Sequence, residues 1–258
     1  MPLTAETLAD RAADLLWTAW TTGEVLDGLP EDLHPHDHEA GWAIQRRVAE
    51  RAGASYGWKI AATSAPSQAV IGIGTPLPGR LFESGRVASG DRIPFAGLHM
   101  RAVEAEYAFR LARDIGPEPT REEVLAAIGG MHLAIEVPDS RLADYAHAGS
   151  SLLLADVACA GHLVLGPELS AVPDDLATIG TALWINGERT AEGDGAVVMG
   201  DPRTALVWLA EELVHLGSGL KAGEIVTTGS TTKVPSIQAG DHVRADFGPL
   251  GQVDVTFT

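Results

Sequence analysis

A chain of 258 residues with 45% hydrophobic and 21% charged residues has the composition of one globular domain, or of one domain with a small N-terminal extension. Its 35 acidic residues outnumber its 18 Lys and Arg residues, and the formal charge of −17 argues against nucleic-acid binding because the protein would repel a phosphate backbone. The single cysteine, Cys159, excludes an intrachain disulfide, and the absence of a targeting pattern or a long apolar run predicts a cytoplasmic protein without membrane contact.

The N-terminal part of the chain predicts helices. Apolar residues at helical spacing indicate one helix over 3–22, with Thr4 as its N-cap, and a second helix over 39–52. A polar connection rich in Pro, Asp and His separates them. We therefore expect an N-terminal helical segment over 1–55 and a single continuous β-rich domain over 56–258.

The remainder of the chain predicts short strands separated by glycine- and proline-rich turns. Strands outnumber helices and do not alternate with them, which disfavours a doubly wound parallel sheet. We predict an α+β fold, a mixed and largely antiparallel β-roll or barrel with peripheral helices. The predicted strands lie at 57–61, 101–110, 131–141, 161–165, 178–185, 224–228, 241–247 and 252–257. The predicted helices lie at 64–71, 122–128 and 202–216.

Two acidic residues, Glu104 and Glu106, alternate with apolar residues in the first of the acidic strands. This spacing places both on one face of a strand, and Glu136 lies in the next alternating run. If Glu136 faces them from a neighbouring strand, three like charges converge and need a cation. Oxygen ligands alone favour a hard divalent ion, Mg²⁺ or Mn²⁺. The alternative is a solvated face, which is the more common setting for such a pattern.

Other segments hold residues that could carry chemistry. Lys59 lies on a predicted strand, where a lysine is usually exposed but, if desolvated, could bind a carboxylate or transfer a proton. The turn at 227–232 is rich in hydroxyl groups, which suits an anion site or an ordinary polar turn. Asp139 and Arg141 could form a structural salt bridge or support a metal ligand. The sequence lacks the motifs of dehydrogenases, kinases and triad hydrolases.

Seven short segments match the motifs of one enzyme family in the same order. They are 39–45, 57–60 together with Gln68, 104–106, 135–141, 220–224, 228–230 and 240–244. Through them the chain resembles, over nearly its whole length, the 2-keto-4-pentenoate hydratase and 4-oxalocrotonate decarboxylase group of the fumarylacetoacetate hydrolase superfamily. The resemblance implies a β-roll of the fumarylacetoacetate hydrolase C-terminal type.

The resemblance also implies a metal-dependent active site. In it, Glu104, Glu106 and Glu136 hold an octahedral Mg²⁺ or Mn²⁺ that a 2-oxo acid chelates, and Lys59 is the active-site lysine. Further residues are expected around this centre. Those expected to bind substrate are Gln68, Ser230, Thr231 and Lys233, and those expected to support the metal ligands are Asp139, Arg141 and Asp156. Lys233 could instead be a solvated turn residue.

The implied function is a metal-dependent lyase that hydrates a 2-hydroxy-2,4-dienoate to a 4-hydroxy-2-oxo acid. One alternative is decarboxylation of a 2-oxo-3-enedioate of the 4-oxalocrotonate type. Another is a non-catalytic assembly partner of a catalytic homologue, against which the intact lysine and glutamates argue. Leu77 and Val157 depart from the family pattern, which often has an acid and an asparagine there. We expect a small 2-oxo or 2-hydroxydienoic acid as ligand, and a homo-oligomer that could assemble with a homologous hydratase or decarboxylase.

Overall fold

The computed structural model describes residues 4–258, which form two β-sheets with helices packed around them. The strands of this region are β1 (Ser55–Ala61), β2 (Leu77–Phe82), β3 (Arg86–Ala88), β4 (Arg92–Ile93), β5 (Glu104–Leu111), β6 (Ile128–Val137), β7 (His162–Leu169), β8 (Gly180–Ile185), β9 (Glu188–Asp194), β10 (Ile225–Thr227), β11 (His242–Asp246) and β12 (Gln252–Phe257). The larger sheet has the strand order β2-β1-β10-β5-β6-β7-β3, and the smaller sheet has the order β4-β12-β11-β8-β9.

Most strand pairings are antiparallel. Within residues 4–258 only three pairings are parallel, namely β1 with β10, β3 with β7 and β4 with β12. The central pair of the larger sheet, β5 and β6, is antiparallel along the whole of β5. The structure therefore confirms the predicted α+β fold, a mixed and largely antiparallel roll.

The six α-helices within residues 4–258 are α1 (Ala5–Thr22), α2 (His38–Ala52), α3 (Ala65–Val70), α4 (Arg121–Ala126), α5 (Ser150–Ala155) and α6 (Pro202–His215). Five of them begin at polar side-chain caps, whereas α5 begins after Gly149 without one. Thr4 accepts a hydrogen bond from the Thr7 amide at 3.2 Å, as the predicted N-cap of α1 should. Leu3, at the start of that predicted helix, lies outside the described residues. Helix α2 begins one residue before the predicted start because Asp37 caps it.

The predicted elements omit the short strands β2, β3 and β4, and they also omit two further elements, β9 and α5. Strand β9 lies at the edge of the smaller sheet and is mostly polar and partly exposed, so it lacks the apolar alternation by which strands are recognised. Helix α5 has six residues and begins after Gly149 without a side-chain cap, whereas the equally short α3 and α4 begin with capping boxes. Both elements depend on the packing around them rather than on a local pattern.

The main core lies between the two sheets. The odd-numbered residues of β5 face the smaller sheet, where the rings of Tyr107 and Phe247 pack with centroids 5.2 Å apart. Helices α1 and α2 form a separate apolar cluster with α5. The proposed domain boundary after residue 55 stays a prediction. Among residues 4–258, no helix is long and apolar enough to cross a membrane.

Candidate metal and active site

The register of β5 and β6 brings the three glutamates together. Glu104 lies directly opposite Glu136, and Glu106 follows two residues along β5 on the same face. Opposite residues of an antiparallel pair point to the same side of the sheet, so all three carboxylates share one face. One oxygen of each lies within 4.8 Å of the others. The spacing on the strand and the cross-strand register together form a compact acidic cluster.

This cluster is buried, which contradicts the expectation of a solvated strand face. Glu106 is 0% exposed and Glu136 is 1% exposed, while Glu104 is partly exposed. Strand β5 is covered on both faces, because the opposite face lies in the core between the sheets. A buried carboxylate is costly unless it is paired, hydrogen-bonded or bound to a cation.

Hydrogen bonds satisfy only part of the cluster. Glu106 Oε2 accepts from the Gly229 amide at 2.8 Å and from the hydroxyl of Thr227. Within the described part of the chain, Glu106 Oε1 and both carboxylate oxygens of Glu136 have no hydrogen-bond donor. Unpaired buried oxygens that converge are the donor set that Mg²⁺ and Mn²⁺ prefer. The residues present therefore fit a hard divalent cation.

Lys59 projects from β1 onto the same face and is 3% exposed. Its Nζ lies 3.0 Å from Glu136 Oε1, an ion pair without hydrogen-bond geometry, and donates to the carbonyl oxygen of Ala158 at 2.9 Å. The usual expectation of an exposed strand lysine is wrong here. The ammonium is a buried charge beside the carboxylates.

The pKa values of these groups reflect their burial and the negative charge of the cluster. Burial, and then the charge of Glu136, raise the pKa of Glu104 to about 7. Burial, followed by the charges of Glu136 and Glu104, raises the pKa of Glu106 well above its ordinary value. For Lys59, burial lowers the pKa, but the nearby carboxylates outweigh it and the net shift is upward. Three carboxylates and one ammonium carry a net charge of −2, which one divalent cation would neutralise.

The four residues expected to bind substrate lie in different settings. Gln68 of α3 donates to the Ala62 carbonyl at 3.1 Å, and Ser230 donates to the Thr232 carbonyl at 3.1 Å. Thr231 is buried, and its hydroxyl donates to the backbone of β5 at 2.8 Å, so that group is already committed. Lys233 is exposed.

The three residues expected to support the metal ligands bind backbone and one another instead. Asp139 accepts hydrogen bonds from the amides of His99 and Met100, both at 2.9 Å. Arg141 pairs with Asp156, with Nε 2.5 Å from Oδ1. The expected salt bridge between Asp139 and Arg141 does not form, and Arg141 forms a buried salt bridge with Asp156.

A separate cavity of about 410 Å³ lies at the C-terminal end of α1. Asp139 and Arg141 line it together with Trp20, whereas the three glutamates and Lys59 do not. This cavity is therefore not the space above the acidic cluster.

Sequence reasoning missed several groups of the site. The Thr227 hydroxyl and the Gly229 amide lie in the turn expected to be either an anion site or an ordinary polar turn, and the anionic group that they bind is the carboxylate of Glu106. Gly229 adopts φ +101°, and a Cβ there would lie 1.9 Å from the Thr63 hydroxyl, so the turn requires glycine. The Ala158 carbonyl carried no signal, because a backbone acceptor has no residue type.

Comparisons with known proteins show the family and the fold of this chain. Residues 64–258 match the model of the fumarylacetoacetate (FAA) hydrolase C-terminal family. The chain is 32% identical over 254 residues to a 2-keto-4-pentenoate hydratase from Paraburkholderia xenovorans, covering 96% of this chain and 94% of that protein. It is 30% identical over 236 residues to a 4-oxalocrotonate decarboxylase from Pseudomonas putida, covering 91% and 89%. The solved 4-oxalocrotonate decarboxylase of Pseudomonas putida G7, complexed with magnesium and adipate, superposes with a TM-score of 0.88 at 25% identity, covering 100% of this chain and 99% of that one.

Proposed function

The chain belongs to the fumarylacetoacetate hydrolase family, and we propose that it is a metal-dependent lyase that hydrates a 2-hydroxy-2,4-dienoate to a 4-hydroxy-2-oxo acid. The observation that carries the proposal is the buried cluster of Glu104, Glu106 and Glu136 with Lys59 beside it. Its hydratase relative spans nearly the whole chain. The non-catalytic alternative is disfavoured because four converging charges, three of them buried, are typical of a functional site rather than of an assembly surface.

The three glutamates are assigned to hold one Mg²⁺ or Mn²⁺. A divalent ion in this position supplies Lewis-acid polarisation of the oxygens of a 2-oxo acid. The protein holds Glu106 in place through Thr227 and Gly229 and leaves the unpaired oxygens of the cluster for the cation. The net charge of −17 repels a small anionic substrate, so binding requires a local positive centre such as this divalent cation.

Lys59 is assigned to proton transfer. An ammonium has three N–H donors, and within residues 4–258 one of them is bound by the Ala158 carbonyl, while Glu136 lies 3.0 Å away without hydrogen-bond geometry. The remaining donors can reach a substrate held beside the glutamates. Hydration requires a proton to move from the 2-hydroxyl oxygen to the terminal carbon, and then water to add across the remaining double bond. A lysine that gives one proton to carbon can regain one from the 2-hydroxyl group or the attacking water.

The surroundings of Lys59 favour a hydratase over a decarboxylase. In the register of β1 and β2, Lys59 pairs with Gly79 and Ala61 pairs with Leu77, so Leu77 lies on the face of the sheet that carries the lysine. Leu77 is 1% exposed and packs in an apolar cluster with Leu153, Ala158 and Cys159. An apolar wall suits the neutral end of a dienoate better than the second carboxylate of an enedioate, which would be desolvated without a partner.

Decarboxylation of a 2-oxo-3-enedioate is the second candidate function. It is favoured by the close structural likeness to the 4-oxalocrotonate decarboxylase complexed with magnesium and adipate, since adipate is a dicarboxylate. In this chain Lys233 is the exposed cation that could bind a second carboxylate, with Gln68, Ser230 and Thr231 as further candidate contacts. The proposal retains a cytoplasmic homo-oligomer, whose size light scattering of the purified protein would measure.

One assay separates the two reactions. The purified protein is stripped with a chelator, reloaded with Mg²⁺ or Mn²⁺, and given 2-hydroxypenta-2,4-dienoate or its dicarboxylate analogue. Hydration predicts metal-dependent loss of the conjugated absorbance with a hydrated product and no CO₂. Release of CO₂ from the dicarboxylate, without turnover of the dienoate, would replace the hydratase by the decarboxylase. If neither substrate reacts while the metal binds, the lyase proposal fails.

A further inference from the structure

An unusual turn lies against Lys59. Val157, Ala158 and Cys159 follow one another in the left-handed backbone region, with φ of 54°, 50° and 58°. Residues other than glycine avoid this region, and a β-branched residue such as valine is especially disfavoured there. A run of three persists only where the surrounding structure holds it.

Arg141 holds both ends of this turn. Its Nη2 donates to the Asp156 carbonyl at 2.6 Å, and its Nη1 donates to the Ala160 carbonyl at 2.7 Å. Its Nε meets the Asp156 carboxylate at 2.5 Å, and that carboxylate also accepts from the Ser140 hydroxyl at 2.6 Å. Arg141 is 5% exposed and Asp156 is 1% exposed. The planar guanidinium thus bridges the residue before the turn and the residue after it, which a point charge could not do.

The turn in its observed form delivers one group to the site, the Ala158 carbonyl that accepts from Lys59 Nζ at 2.9 Å. The neighbouring strand is shaped to admit it. A Cβ on Gly79 would lie 2.2 Å from the Val157 carbonyl oxygen and 3.1 Å from Lys59 Cδ. The turn, Gly79 and the lysine side chain are therefore packed in direct contact.

We infer that Arg141 and Asp156 are positioning residues that act on Lys59 through the 157–159 turn. The inference rests on the proposed function of Lys59 in proton transfer. We call the Arg141–Asp156 pair the clamp. With the clamp in place, Lys59 Nζ is fixed between the Ala158 carbonyl and Glu136. Without it, the turn relaxes from its left-handed backbone, the carbonyl withdraws and the ammonium swings toward the carboxylates. Because the clamp does not touch the glutamates, metal binding remains and the loss falls on turnover.

The test removes both charges of the clamp at once in Arg141→Met/Asp156→Leu, which leaves no lone buried charge and keeps similar volume. The matched control is Arg80→Met/Glu224→Gln, an ion pair at 2.7 Å next to Trp58 on the opposite face of the same sheet. The clamp variant should lose at least about tenfold in kcat. Its KM and its Kd for Mg²⁺, measured by calorimetry, should stay within about threefold, and the control should keep kcat within about twofold.

A second readout does not depend on activity. The chain has three lysines, of which Lys221 and Lys233 are exposed, so lysine labelled with ¹⁵N gives one buried ammonium resonance. Lys59→Met identifies that resonance by its loss. In the clamp variant the Lys59 signal should shift or broaden through faster hydrogen exchange, and in the control it should not move. A wild-type enzyme without hydratase activity would sink the proposed function, while this spectrum would still test the positioning.

If the double variant does not fold, Arg141→Lys is the variant that tests the inference. It keeps a positive charge beside Asp156 but cannot bridge both carbonyls, so kcat should again fall and the Lys59 resonance should again shift. A folded variant of either kind with an unchanged Lys59 signal and kcat within about twofold of wild type overturns the inference.

Discussion

Lys59→Met should destabilise the metal-free protein as well as inactivate it. A poorly paired buried lysine could be replaced by methionine with little change in thermal stability. Lys59 is well paired, since its Nζ is 3.0 Å from Glu136 and 2.9 Å from the Ala158 carbonyl. Removing one partner of a buried ion pair costs roughly 3–5 kcal/mol, because the remaining charge is left without compensation. Here the remaining charge belongs to a cluster that already includes Glu104 and Glu106.

The expected change in melting temperature follows from the size of the chain. Unfolding entropy is about 2.1 cal/mol/K per residue, which for 258 residues is about 0.5 kcal/mol/K. The loss of roughly 3–5 kcal/mol then lowers Tm by about 6–9 °C in the presence of a chelator. Excess Mg²⁺ should recover part of this difference, because a divalent cation supplies the charge that the lysine no longer does.

Differential scanning calorimetry with and without Mg²⁺ makes the measurement, with kinetics on the same samples. The control is Lys221→Met, whose ammonium pairs with Asp114 at 3.0 Å but is 67% exposed. Such surface pairs contribute about 0–1 kcal/mol, so Tm should change by no more than about 2 °C. Adding Glu136→Gln to Lys59→Met should restore stability, since it removes the uncompensated charge.

Turnover should fall at least about 10²-fold in Lys59→Met, as for the loss of an acid–base group. Two results would refute this reasoning. A metal-free Tm within about 2 °C of wild type would mean that the buried pair contributes no more than a surface pair. Turnover near wild type would remove Lys59 from the mechanism.

Three further predictions concern the glutamates and the turn. Glu106→Gln should weaken Mg²⁺ binding and activity together. It should not lower the Tm of the metal-free protein, because the pKa of Glu106 is raised and its ionised form is already disfavoured there. An unchanged Mg²⁺ affinity by calorimetry would contradict this. The pKa of Glu104 is raised from 4.5 to about 7, so between these pH values the folded protein binds one more proton than the unfolded chain. The stability of the metal-free protein should therefore fall as pH rises from 4.5 to about 7, while Mg²⁺ affinity should rise. Melting and Mg²⁺ binding that do not change with pH would contradict this. Gly79→Ala should lower the free energy of unfolding by about 1–3 kcal/mol and should lower kcat, because its Cβ would clash with the Val157 carbonyl. Gly180→Ala, with no atom within 4 Å of the added Cβ, should change neither quantity. Equal melting curves for the two variants would show that the turn tolerates displacement.

Much of the candidate site was predictable because its signals are local. The alternation around Glu104 and Glu106 is a property of a strand that sequence alone displays, and it put both carboxylates on one face. The order and spacing of the family motifs also identify Glu136 and Lys59 from the sequence alone. The helix caps, Thr4 for α1 and the Asp201 cap of α6, are likewise recognisable within a few residues.

What the sequence could not decide is what lies opposite each residue. An E-x-E strand with one apolar face predicts a solvated second face. Only the tertiary structure buries Glu106, whose carboxylate binds Thr227 and Gly229. The cross-strand pairing of Glu104 with Glu136 depends on register, which no local pattern encodes.

Tertiary structure also decided the surroundings of Lys59 and of Arg141. The partner of Arg141 turned out to be Asp156, fifteen residues away along the chain, rather than the adjacent acid. Lys59 binds a backbone carbonyl on a left-handed turn 99 residues later. Local sequence therefore determined which residues carry charge and on which side of their strand they lie. Tertiary structure determined which charges are buried, which are paired and which remain free for a metal, because burial and pairing depend on contacts between segments that are distant in sequence.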